Sequence, residues 1–265
     1  MTDKIDIEEY LKTNFIGKNI EYFHSIPSTN IKAKEIAYSK EEGTIVIAEE
    51  QTQGKGRIGR NWASPKGKGI WVSIILKPNM NPDKVPKMTL IGAAAISKAL
   101  KNMGIKSYIK WPNDIIIGGK KVCGILTEMN YKRDMISYVI MGIGMNVNLD
   151  EDDFNDELKD KATSLKITTG TEIDRSKLLA SILNYFENLY IPFEEKDDLS
   201  ETIKISREQS ILINREVRII KGNEEKTGKV LDIDNEGKLV IRYEDDKIEK
   251  VFSGEISIRG IKGYV

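Results

Sequence analysis

Residues 51–70 carry five basic side chains, Lys55, Arg57, Arg60, Lys66 and Lys68, and no acidic one. The chain as a whole balances 41 basic against 41 acidic residues, so this stretch is a local excess of one sign. Gly54, Gly56 and Gly59 are interleaved with its first three basic residues. Glycine lets a backbone approach a ligand closely and present its N–H groups, and arginine donates forked hydrogen bonds to phosphate or carboxylate. The segment therefore suits an anion; the plainer alternative is a solvated basic loop. Gly54–Gly59 also spells G-x-G-x-x-G, but a dinucleotide fold needs a helix directly afterwards and an acid about 20 residues on. Pro65, Gly67 and Gly69 disfavour that helix, and residues 77–82 hold no acid. The lysine strand, His-Arg-Asp and Asp-Phe-Gly segments of a protein kinase are missing, and so is the G-K-[ST] of a P-loop.

Zero net charge over 265 residues leaves no global basic field for nucleic acid or an anionic membrane. One cysteine, Cys123, precludes an intramolecular disulfide and points to a reducing compartment. With a single histidine as well, a Cys/His zinc site cannot be assembled. A serine–histidine–acid triad would need His24, which lies in an alternating apolar run and reads as structural. Cys123 reads as a small buried hydrophobe in a strand. Met1–Tyr10 is polar and acidic, unlike a signal peptide, and no apolar run approaches a membrane span. A soluble, cytoplasmic protein is expected.

Several elements must position the basic loop. Alternation and β-branched residues predict strands at 20–26, 44–50, 69–77, 105–110, 122–129 and 135–147. Apolar spacing predicts helices near 5–11, at 28–40, at 86–103 with Pro86 at its start, at 175–190 and at 199–209. Gly118-Gly119-Lys120-Lys121 reads as a hairpin turn and the acidic segment 150–160 as solvated loop. From about residue 211 the pattern becomes short alternating strands, 211–220, 227–233, 238–243, 247–252 and 255–259, with Gly222, Gly237 and Gly254 near the turns. The expected fold class is α+β: a mixed, largely antiparallel sheet with flanking helices over residues 1–210. A small SH3-like β-barrel over 211–265 completes it.

Five segments resemble the biotin–protein ligase family, in its order and at its spacing. They are Ser28-Thr29-Asn30, Gln51 with Gly54–Pro65, Lys110-Trp111-Pro112-Asn113-Asp114, Lys120–Glu128, and Gly142–Asn148. The resemblance spans about residues 20–260 and implies the class II synthetase-like catalytic fold. It also implies ATP with Mg2+, formation of biotinyl-5'-AMP, and transfer of biotin to a lysine of a biotin carboxyl carrier protein. By resemblance, Ser28, Thr29, Asn30, Gln51, Lys55, Gly56, Arg57, Lys121, Gly124 and Gly142 bind biotin. Arg57, Arg60, Trp62, Lys110, Asn113 and Asn146 bind ATP. Lys121, Arg57, Lys110 and Asp114 are the catalytic set, and no metal is held directly by protein ligands.

Two departures from the family pattern stand out. Lys55 occupies the place where relatives usually carry arginine, which keeps the charge and loses the fork. Too few residues precede the catalytic match for the DNA-binding domain that many bacterial relatives carry, so the stand-alone class without DNA binding is expected. The resemblance leaves a homodimer open. The alternatives are a lipoate or octanoate ligase, which shares the fold, and a non-catalytic nucleic-acid-binding module.

Overall fold

Successive residues of a strand face opposite sides of a sheet. Within Met135–Asn146 this puts Gly142 and Gly144 on one face and Met141, Ile143 and Met145 on the other. That split organises the molecule. The computed structural model describes residues 4–133, 135–222, 224–252 and 256–261. In chain order the main elements are β1 (Ile20–Phe23), α1 (Thr29–Ile36), β2 (Ile45–Ala48), β3 (Gly69–Leu76) and α2 (Val85–Asn102). Next come β4 (Tyr108–Lys110), β5 (Asp114–Ile117), β6 (Lys120–Lys132), β7 (Met135–Asn146), α3 (Asp156–Lys159) and α4 (Leu165–Thr169). The chain continues with α5 (Arg175–Lys196), α6 (Ser200–Glu208), β8 (Glu216–Lys221), β9 (Glu224–Ile233), β10 (Leu239–Tyr243), β11 (Ile248–Val251) and β12 (Ser257–Gly260).

The main sheet has seven strands in the order β1-β2-β3-β7-β6-β5-β4. Only β1–β2 is parallel, so the expected mixed, largely antiparallel sheet is present. The helices α2 and α5 cover the face carrying Ile70, Val72, Met141 and Ile143, while α1 packs on the opposite face against Val46, Ile75 and Ile140. With both faces covered, every residue of β3 is buried. Gly118 and Gly119, at φ 57° and 80°, make the tight turn between β5 and β6, a conformation that glycine adopts without strain. The predicted helix at 86–103 is α2, with Pro86 in its first turn. The predicted helix near 5–11 is a single 3-10 turn at Glu8–Tyr10.

The C-terminal strands form an antiparallel sheet ordered β11-β10-β9-β8-β12. Barrel closure requires the two edge strands to pair. Among the described residues β11 and β12 share no ladder, so the SH3-like unit stands as a five-stranded sheet rather than a closed barrel. Gly254 and Glu255, assigned from sequence to the turn and start of the last strand, lie outside the described residues. This sheet shares the main hydrophobic cluster through Val217, Val230, Leu239 and Ile241. Arg207 of α6 ties it down, with Nε donating to Ile233 O at 2.7 Å and Asp232 Oδ1 at 3.1 Å. No helix among the described residues is long and apolar enough to cross a membrane.

Glu49, 1% exposed at the end of β2, joins four segments. Its Oε2 accepts from Arg175 Nη1 at 2.8 Å, and its Oε1 accepts from Tyr22 Oη at 2.9 Å and Ile5 N at 3.3 Å. Arg175 also donates to Gly69 O at 3.1 Å. Removing one member of a buried ion pair strands the other charge, at a cost of about 3–5 kcal/mol. Arg175→Ala is expected to lower unfolding stability by about 3 kcal/mol in urea titration. A loss under about 1 kcal/mol would show that this pair is not buried in solution.

Candidate active site

One cavity of about 750 Å³ opens on the α1 side of the sheet. Its floor is set by register. Gly124 of β6 lies opposite Gly144 of β7, and Leu126 opposite Gly142. A Cβ at Gly142 would come within 2.1 Å of Asn30 Oδ1, and one at Gly144 within 2.6 Å of Trp62 Nε1. These glycines therefore let Asn30 and the Trp62 indole lie flat on the strands.

The inner end is a neutral polar network at the start of α1. Ser28 makes no capping bond to the helix. Gln51 caps it instead: its Oε1 accepts from Thr29 N at 2.8 Å and Thr29 Oγ1 at 3.0 Å. Gln51 Nε2 donates to Ser64 Oγ at 2.8 Å, and Ser64 donates on to Trp62 O at 3.1 Å. Ser73 Oγ, from β3, lies 2.6 Å from Asn30 Oδ1 and 2.8 Å from Thr29 Oγ1. Ser28, Thr29, Asn30 and Ser73 are all buried.

The basic loop expected over 51–68 is a tight hairpin with a 3-10 turn, Arg57–Gly59, at its tip. Trp62 N bonds Gly54 O at 2.9 Å, Lys55 bridges Asn61, and Gly56 N bonds Arg60 O at 2.7 Å. A Cβ at Gly54 would sit 2.3 Å from Trp62 O, so the two arms close this tightly only with glycine there. Lys55 and Arg60 are exposed, whereas Arg57 turns inward and donates from Nη1 to Asn113 Oδ1 at 2.6 Å.

Opposite the hairpin lies the Lys110–Asp114 segment, which contains a cis Trp111–Pro112 bond. Asn113 Nδ2 donates to Asp114 Oδ1 and Ile125 O, each at 3.1 Å, so both amide protons are engaged. Asp114 Oδ1 also pairs with Lys121 Nζ at 2.5 Å, and that ammonium stands 5.1 Å from the Trp62 ring centre. Lys110 is 3% exposed, and burial lowers its pKa to about 7; nearby Asp114 opposes the shift, while Arg259, Lys121 and Arg60 reinforce it. Asn146, buried beside this cluster, donates to Thr163 O at 3.1 Å. Trp111 Nε1 donates to Gly237 O at 3.0 Å, linking the segment to the C-terminal sheet.

Ser28, Thr29, Asn30, Gln51, Lys55, Gly56, Arg57, Arg60, Trp62, Lys110, Asn113, Asp114, Lys121, Gly124, Gly142 and Asn146 all line this one cavity. His24 is exposed and stacks edge-on with Tyr22 outside it. Cys123 is fully buried, and burial raises its thiol pKa, which keeps it from serving as a nucleophile.

Two walls are not visible in the sequence reading. Residues 150–160, expected to be solvated, are largely exposed, but Phe154 among them is buried against Trp71 and Leu149, and Lys68 pairs with Asp150 and Asp153 beside it. Arg218 and Arg259, paired across β8 and β12, bring two further cations to the mouth. Nothing in the spacing of Arg218 and Arg259 relates them to the loop at 51–60; only the docking of the C-terminal sheet does.

One cavity with a neutral polar end, a cation cluster and a glycine-rich basic hairpin suits an enzyme that brings two anions together. Known proteins narrow this further. Residues 22–146 match the biotin/lipoate A/B protein ligase family, and residues 212–259 match the biotin protein ligase C-terminal domain. The bifunctional ligase/repressor BirA of Bacillus spizizenii is 42% identical over 256 residues, covering 94% of this chain and 76% of that protein. The biotin–[acetyl-CoA-carboxylase] ligase of Mycobacterium tuberculosis is 26% identical, covering 88% of this chain and 89% of its own. The structure of the Aquifex aeolicus biotin protein ligase in complex with biotin and ATP superimposes with a TM-score of 0.79 at 32% identity, covering 92% of this chain and 99% of that one. The chain belongs to the biotin protein ligase family and is an ATP-dependent ligase of that family.

The depressed Lys110 pKa has a measurable consequence. Between about pH 7 and the ordinary lysine value of 10.5, the unfolded chain holds a proton that the folded protein has released. Stability contributed by this group therefore rises with pH across that window. Lys110→Met should flatten the increase in urea midpoint between pH 7 and pH 9.5; an unchanged increase would show that Lys110 titrates normally.

Proposed function

We propose that this protein activates biotin with ATP and transfers the biotinyl group to a lysine of a biotin carboxyl carrier protein. The supporting observation is the continuity of one cavity from a neutral inner end to a cluster of Arg57, Lys110 and Lys121. Biotin has a matching polarity, with a cyclic urea at one end and a carboxylate at the other. Ser28, Thr29, Asn30 and Gln51 would meet the urea, and the Gly142 and Gly124 surface would lie beneath the rings.

In the first step a biotin carboxylate oxygen attacks the α-phosphorus, and the bond to the leaving pyrophosphate breaks. Two anions must be brought together, so positioning and charge neutralisation do the work. Arg57 and Lys121 would bridge the carboxylate and α-phosphate. Lys110, Arg60 and the neighbouring Arg259 would face the remaining phosphates. Lys55 supplies a point charge at the rim, and Trp62 would pack against the adenine beside Asn146. Magnesium would offset the charge of the phosphates and of the leaving pyrophosphate.

In the second step the acceptor amine attacks the acyl carbon, the anhydride bond to AMP breaks, and the amine sheds a proton. Asp114 would take that proton once Lys121 has turned to the anion. The hairpin would close over the adenylate and exclude water. The acyl-transfer chemistry fits residues 1–210, with 211–265 as a second unit that completes the mouth.

ATP–pyrophosphate exchange tests this directly. Exchange should depend on biotin, and Lys121→Ala should reduce it about 10²-fold, the usual effect of removing one charge-stabilising donor. Exchange supported by lipoate but not biotin would overturn the proposal, as would salt-sensitive DNA binding without exchange. Tryptic cleavage after Arg57 or Arg60 should be fast in the free protein and slow with biotin and ATP; equal rates would rule out closure of the hairpin.

A further inference from the structure

We infer that Glu128 is a positioning residue that fixes the orientation of the Asn30 amide, so that Asn30 offers the ligand an acceptor rather than a donor. This rests on the biotin reading above and deepens it. The two ends of a carboxamide are nearly equal in shape and opposite in hydrogen-bonding sense, so an amide is oriented only by its partners. Glu128, near the middle of β6, reaches across to α1. Its Oε2 accepts from Asn30 Nδ2 at 2.8 Å, and its Oε1 pairs with Lys34 Nζ at 2.5 Å. Lys34 lies one helical turn beyond Asn30 and holds the carboxylate in place. A carboxylate can only accept, so the NH2 end of Asn30 must face Glu128.

The rest of the inner end follows from that choice. Asn30 Oδ1 is turned to Ser73 Oγ at 2.6 Å and over Gly142. An amide oxygen only accepts, so Ser73 commits its single proton to Asn30. The hydroxyl of Thr29 is left to donate to Gln51 Oε1, at 3.0 Å, or to Ser73 Oγ, at 2.8 Å. From the other side the Trp62 carbonyl is also acceptor-only, and it orients Ser64 and then Gln51 in turn. The network is thus polarised from both ends, by the Glu128 carboxylate and by the Trp62 carbonyl. A cyclic urea carries two N–H donors, and an amide locked with its oxygen over Gly142 meets one of them. Without Glu128 the NH2 keeps only its long 3.4 Å bond to Leu126 O, so the amide is held less firmly and Ser73 loses a fixed acceptor.

A purely structural Glu128, acting only as a link between α1 and β6, would move stability and leave substrate selectivity alone. The test is therefore a double-mutant cycle between Glu128 and Asn30. Biotin affinity is read by titration calorimetry, and KM for biotin and for ATP by exchange kinetics. Glu128→Leu should weaken biotin at least tenfold with KM for ATP changed less than twofold. Glu128→Gln, which can still turn an oxygen toward Asn30, should restore most of the affinity. In an Asn30→Ala background Glu128→Leu should add less than a twofold effect. Should the leucine variant not fold, Glu128→Thr suits a strand and gives the same reading. A loss below twofold in Glu128→Leu, or a loss that persists undiminished in Asn30→Ala, overturns the positioning role. Wild-type protein that shows no biotin binding overturns the function itself and this role with it.

Discussion

Around Asp114 the fold gathers more positive charge than it neutralises. Lys121 pairs with the carboxylate, Lys110 is buried beside it, and Arg57 is tied in through Asn113. Like charges held this close repel, and the repulsion is strongest where water is excluded. Burial is the main reason the Lys110 ammonium comes down to about 7, and repulsion from the neighbouring cations adds to it. On the function proposed above, an incoming polyanion would relieve that repulsion, and the surrounding architecture holds the cluster ready for it. The cis Trp111–Pro112 segment presents Lys110 and Asp114 together, and Asn113 is anchored by both its side chain and its backbone.

The opposite end of the cavity obeys a different constraint. There the groups are neutral, buried and mutually bonded, as buried polar atoms must be. Their arrangement depends on glycine at alternate positions of β7, because any side chain at Gly142 or Gly144 would displace Asn30 or Trp62. The same alternation supplies Met141, Ile143 and Met145 to the core beneath α2 and α5. A single strand therefore carries both the floor of the site and the centre of the hydrophobic core. Substrate polarity and fold stability are coupled through its period of two.

The C-terminal sheet is more than an appendage. It shares the main core, accepts a hydrogen bond from Trp111 at Gly237 O, and sets Arg259 near Lys110. Its contribution to the site is both mechanical and electrostatic. It braces the segment that carries Lys110 and Asp114, and it adds charge to the mouth.

Much of this was legible in the sequence. Net charge, the single cysteine and histidine, and the acid-free glycine-rich loop already excluded several chemistries. Strand alternation located the sheet, and motif order pointed to the family and to the residues lining the cavity. Those features are local, because period and composition act within a few residues of chain. What the tertiary structure decided was non-local. It buried Phe154 of the otherwise exposed 150–160 segment against Trp71, which lies far away in sequence. It brought Arg218 and Arg259 to the site, and it set Glu128 against Asn30 across 98 residues. No spacing rule encodes such contacts. They exist only once the sheet has set its register and the helices have closed on both faces.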